Sequence, residues 1–167
     1  MFKMYLFIIV SCISSYMVYI AESPKINKNI EIVEVEEKEL MTLEIPKINF
    51  FGKIYDISSE QNDIDKNIII MKESDMPDKE NGIIIIGGHS GYGQYAYFKD
   101  LNKLEIDDKV IIKYLGNNYI YKVVDYHLDS KDGSIRISNL NKKNKLFLYT
   151  CNPNDKNNYL VYDCEKI

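Results

Sequence analysis

Beyond residue 40, apolar residues either alternate with polar ones or gather in short β-branched runs. Both patterns predict strands. Leu43-Glu44-Ile45-Pro46-Lys47-Ile48 alternates, with Pro46 marking an edge or a strand end. Residues 53–57 and 67–71 are further short candidates. Ile83-Ile84-Ile85-Ile86, bounded by Gly82 and Gly87, has the composition of a central strand buried on both faces. Residues 109–115 and 119–126, separated by Gly116-Asn117-Asn118, read as a hairpin. Residues 146–151 and 159–164 supply the last two strands. One helix is expected over residues 94–103, where Phe98, Leu101 and Leu104 recur. Many short strands with one small helix predict an all-β fold, a barrel or a sandwich.

The N-terminal pattern is different. Residues 4–21 carry no charge and lie between Lys3 and Glu22. Their length is at the short end for a membrane-spanning helix. An A-x-A cleavage pattern is missing and the apolar run is long for a signal-peptide core. An uncleaved anchor is therefore expected, with a cleaved signal as the alternative. Lys3 inside and Glu22 at the exit place the rest of the chain outside the cytoplasm. Cys12 is one more apolar residue of this segment. Residues 22–39, with alternating Lys and Asn and then an acidic run, read as a solvated stalk. Residues 40–167 remain as one folded domain.

Composition narrows the function classes. The chain has 167 residues and a 46% hydrophobic content, which excludes a mainly disordered protein. A net charge of −4 argues against nucleic acid as the partner. Three cysteines without a C-x-x-C pair are too few for a disulfide scaffold, and two histidines limit any imidazole-based metal site. No cofactor or metal is called for. The acidic cluster Glu73, Asp75, Asp78 and Glu80 has calcium-type ligands but reads as a solvated loop. Gly91-Tyr92-Gly93-Gln94-Tyr95-Ala96 fits a dinucleotide fingerprint, yet no βαβ alternation follows it. Gly88-His89-Ser90-Gly91-Tyr92 lacks the final glycine of a serine-hydrolase elbow.

The remaining chemistry lies in two residues. Cys151 ends a strand and is followed by the loop Asn152-Pro153-Asn154-Asp155, a place where a thiol can open into a cavity. A buried, inert cysteine is the alternative at that position. Cys164 lies within the last strand pattern and reads as core; a Cys151–Cys164 disulfide would consume the nucleophile. His89 follows the apolar run and is framed by Gly87, Gly88 and Gly91, which leave the imidazole uncrowded. His127 has no such framing and reads as a surface or packing residue. His89 is the better acid or base.

These residues resemble the sortase family. Leu43-x-Ile45-Pro46-Lys47-Ile48 resembles its first strand. The run from Ile83 to Ser90 resembles the motif that carries its catalytic histidine. Tyr97-Phe98-x-x-Leu101-x-x-Leu104 and Ile106 to Val110 look like the segment that follows, with Asp107 where glycine is common. Leu146-x-Leu148-x-Thr150-Cys151 resembles the motif of its nucleophilic cysteine. The resemblance implies a closed eight-stranded β-barrel with one or two short helices. It also implies a cysteine transpeptidase with Cys151 as nucleophile and His89 as general acid and base, needing no metal. The implied substrates are exported proteins with a C-terminal sorting signal. The implied acceptor is an amine on a cell-wall precursor or on another protein. Sortases usually carry an arginine on the last strand, and Tyr159 stands about there. The Tyr159 hydroxyl, loop amides or Arg136, the chain's single arginine, are the candidates to replace it. A non-catalytic surface binding module on the same barrel is the alternative function.

Overall fold

The computed structural model describes residues 37–132, 144–155 and 157–167. The expected anchor and most of the stalk lie outside these residues, as does Arg136. Among the described residues no helix is long and apolar enough to cross a membrane. Within the described residues eight strands form one sheet: β1 (Met41–Ile45), β2 (Phe50–Ile54), β3 (Ile69–Ile70), β4 (Ile83–Gly87), β5 (Lys109–Tyr114), β6 (Asn117–Ser130), β7 (Lys145–Cys151) and β8 (Asn158–Lys166). Their order is β2-β1-β5-β6-β8-β7-β4-β3, and every pairing is antiparallel except β4 with β7.

The sheet curls until its two edges nearly meet. Phe50 on β2 stacks edge-on against Phe98, with ring centroids 5.4 Å apart. At Gly52 a Cβ would sit 2.8 Å from Ile68 Cδ1, so the absence of a side chain there lets the edges approach. The expected all-β barrel is thus present and nearly closed. Alternating residues fill its interior: Leu43 and Ile45 from β1, Val110 and Ile112 from β5, Leu146 and Leu148 from β7, and Tyr162 and Cys164 from β8. A second apolar cluster, Ile85, Phe147, Tyr149 and Val161, covers the outer face of β4, β7 and β8. These three strands are therefore buried on both sides along their middles, as the isoleucine run predicts for β4.

Three expectations shift. The helix over residues 94–103 reduces to a 3-10 turn at Leu101–Lys103. Phe98, Leu101 and Leu104 recur every third residue, the period of that tighter turn, and Leu101 N–H donates to Phe98 O and Leu104 N–H to Leu101 O. The strand expected over residues 53–57 is β2, set earlier by the short turn Pro46–Ile48 that returns the chain alongside β1. The strand expected over 119–126 runs on to Ser130, because β8 supplies ladder partners for its polar end.

That extension has a consequence for which face each residue takes. A bulge falls between Val123 and Asp125. Before it Tyr121 and Val123 face the core; after it the odd-numbered residues pair with Val161 and Tyr159 on the outer face. The bulge thereby turns His127 and Asp129 toward the side on which β7 carries Phe147, Tyr149 and Cys151.

Candidate active site

Cys151 closes β7, and its strand partner on β8 is Tyr159. It lies on the outer face, opposite to core-facing Leu148 and Thr150. Both Cys151 and Cys164 are free thiols. Cys164 is fully buried in the core, and burial pushes its thiol well above the ordinary range. Cys151 instead opens on a groove of about 890 Å³, whose walls include Ser90, Gly91, Tyr92, Asn152 and Pro153.

The parallel register of β4 on β7 sets the position of His89. Gly87 pairs with Tyr149, and Gly88 N–H donates to Tyr149 O at 3.2 Å. Thr150 Oγ1, buried, donates to Gly88 O at 2.7 Å, and Phe98 N–H donates to His89 O at 2.9 Å. Three hydrogen bonds thus clamp the turn on which His89 sits, at the same end of the sheet as Cys151. Gly87 is required at this clamp, because a Cβ there would run into the Tyr149 ring. Burial pushes the Tyr149 phenol up to about 12, and its hydroxyl donates to Met71 Sδ at 3.1 Å.

The two candidate residues are each held by a third side chain. His89 Nε2 lies 3.0 Å from Asp65 Oδ1. A carboxylate only accepts, so Nε2 donates and Nδ1 is left for exchange. Asp65 is itself fixed in a turn where its N–H donates to Asp63 Oδ1. Cys151 Sγ lies 3.0 Å from Lys131 Nζ. Lys131 follows directly on β6, its N–H donates to Asn157 O, and its ammonium rests 5.2 Å above the Tyr159 ring. The Tyr159 ring meets Tyr149 edge-on at 5.9 Å.

Asp65 and Lys131 were not singled out by the sequence. Neither stands in a motif, and Lys131 is one lysine among many. Only the bulge and the β6–β8 register bring it to the cysteine. Tyr159 occupies the expected strand position, where its ring supports a cation. His127 Nε2 lies 3.5 Å from buried Asp129 Oδ2, on the same outer face. Of the acidic loop, Asp75 accepts from Lys79 and from Ile83 N–H, which lowers its carboxyl and ties the loop to the start of β4.

The family model described as the sortase domain matches residues 43–165. Sortase D of Bacillus subtilis (strain 168) is 30% identical over 125 residues, which cover 72% of this chain and 60% of that protein. The chain thus spans about three-fifths of that relative's length. Among solved structures, a lid mutant of sortase A from Corynebacterium diphtheriae superposes with a TM-score of 0.68 at 20% identity, covering 80% of this chain and 73% of the other. Sortase C1 of Streptococcus agalactiae, in complex with MTSET, gives 0.67 at 23% identity, covering 80% and 71%. At these identities the likeness is one of fold.

Proposed function

This chain belongs to the sortase family, and from that premise we propose that it is a cysteine transpeptidase anchored through residues 4–21 with its barrel outside the cytoplasm. It cleaves a sorting motif near the C-terminus of exported proteins and transfers the new acyl end to an amine on a cell-wall precursor or on another protein. Cys151 is the nucleophile and His89 the general acid and base. The observation that carries this reading is a free thiol at the end of β7, open to a groove whose wall continues from the clamped His89 turn.

The chemistry follows from the two side chains. The Cys151 thiolate attacks the scissile carbonyl carbon, and the carbonyl π pair moves to oxygen. Collapse of this oxyanion breaks the C–N bond while His89 imidazolium gives its proton to the departing nitrogen. A thioester and a free amine result. The acceptor amine then attacks the thioester, loses a proton to His89 and restores the thiolate. Dividing amide exchange into two thioester steps lowers each barrier.

The test uses the purified full-length chain in detergent with a broad panel of sorting peptides. Wild type is expected to gain the mass of one acyl group at Cys151, and Cys151→Ala to gain none. Identical behaviour of the two across the panel would refute the reading. Peptide binding that survives Cys151→Ala, with no cleavage in wild type, would instead identify a binding module.

A further inference from the structure

We propose that Lys131 is a catalytic residue of this site, the cation that pairs with Cys151 and then receives the oxyanion. The inference rests on the transpeptidase reading above. Three observations on the side chain itself support it. Its ammonium is 3.0 Å from the reacting sulfur. It lines the same groove as Cys151, Asn152 and Pro153, so a substrate carbonyl brought to the thiol meets it. It is also held in place at both ends. Its backbone N–H donates to Asn157 O at 2.9 Å, and its ammonium lies over the Tyr159 ring. A cation seated on an aromatic face keeps its charge while its N–H groups stay free to point elsewhere.

Among the described residues the other cations of the groove are Lys99 and Lys103, and Lys103 is bound to Asp100 at 2.8 Å. Of these three, Lys131 is the one in contact with sulfur. Tyr159 then has a defined task, because its ring is the platform for Lys131 and its phenol need not be the donor.

In the first step the Cys151–carbon bond forms and the carbonyl π pair becomes a lone pair on oxygen. Negative charge leaves sulfur and appears on the oxygen two bonds away, across the attacked carbon. Lys131 shifts its hydrogen bond from sulfur to that oxygen and keeps its proton throughout. When the oxyanion collapses, the C–N bond breaks, the leaving nitrogen takes its proton from His89, and Lys131 is unchanged. The same cycle serves the second step. A donor fixed before reaction stabilises this charge without reorganisation. A lysine does so as a point charge, where an arginine would use a planar fork.

Two readouts on Lys131→Met and Lys131→Arg, in the full-length chain, test the proposal. One needs no substrate. The rate of Cys151 alkylation is measured by peptide-resolved mass with anionic iodoacetate and with neutral iodoacetamide. Buried Cys164 should stay unmodified in every variant, which reports an intact barrel. The iodoacetate-to-iodoacetamide rate ratio is expected to fall about tenfold in Lys131→Met and to persist in Lys131→Arg. The other readout is thioacyl formation with a sorting peptide, expected to fall about 10²–10³-fold in Lys131→Met and to recover largely in Lys131→Arg. An unchanged ratio in Lys131→Met, or unchanged thioacyl formation, overturns the role of Lys131. Absence of any thioacyl product in wild type, with the ratio still dependent on Lys131, overturns the transpeptidase reading and the catalytic role with it.

Discussion

Leu115 holds a backbone conformation that suits it poorly. It and Gly116 form the two-residue turn between β5 and β6, with φ of 47° and 80°. Two consecutive positive φ values define the type I′ hairpin turn, whose preferred pair is Asn-Gly. A branched apolar side chain in the left-handed region costs about 1–2 kcal/mol. Leu115 is 74% exposed, so little burial offsets that cost. Leu115→Asn is expected to stabilise the protein by about 1 kcal/mol, seen as a rise of roughly 2–5 °C in the melting temperature. An unchanged or lower value would mean that the leucine packs in a way its exposure does not show. Local composition points to a turn one residue later, at Gly116-Asn117-Asn118, because leucine carries no turn signal. Asp107 is similar, with φ of 74° where the family commonly has glycine; its carboxylate is retained in an ion pair with Lys122 at 2.9 Å.

Strand β7 shows how one element can carry both stability and the site. Its inner face is Leu146, Leu148 and Thr150, and its outer face runs Lys145, Phe147, Tyr149, Cys151. Lys145 is a lysine with 1% exposure, and its ammonium bonds both oxygens of Asp163 on β8, at 2.6 and 2.5 Å, with Glu165 at 3.5 Å. Burial pushes the Asp163 carboxyl up against the downward pull of this lysine. Removing one partner leaves the other charge buried and unpaired. Lys145→Met is expected to cost about 3–5 kcal/mol in urea denaturation. Replacing the pair together, Lys145→Met with Asp163→Leu, should return most of that loss. If the double variant is no more stable than the single, the cost lies in packing and not in the orphaned charge. Nothing in the run Lys145 to Cys151 announces this pair, since a lysine at the start of an apolar strand ordinarily reads as solvated.

At the scale of the barrel, three tyrosines buried among the described residues set a limit at high pH. Tyr121 and Tyr162 lie in the interior and Tyr149 under the outer cluster. Burial raises each phenol from the ordinary 10.0 to about 12. The folded value exceeds the unfolded one, so this stability is fully present below pH 10. It is lost as pH rises through about 12. Two units correspond to about 2–3 kcal/mol per tyrosine. The three together approach the whole stability of an ordinary domain, about 5–15 kcal/mol. Cooperative unfolding between pH 10 and 12 is expected, with these phenols ionising in the same transition when followed at 295 nm. Ionisation of all fourteen tyrosines below the unfolding transition would contradict their burial.

Some of this protein was determined locally in the chain. β-branched runs and alternation specify most strands, since apolar side chains must reach one face and β-strands place every second residue there. The glycine-framed His89 and the strand-end Cys151 are equally local, and each is legible without a partner. The tertiary structure decided what surrounds them. Register across β4 and β7 clamps the His89 turn, and a turn far from β4 in sequence supplies Asp65. A single bulge in β6 exchanges its two faces and carries the strand end to Cys151, where Lys131 meets the sulfur. A bulge depends on pairing between strands distant in sequence. No period along one strand records it, and so the lysine that reaches Cys151 from the end of β6, beside the Tyr159 of the last strand, is visible only in the folded barrel.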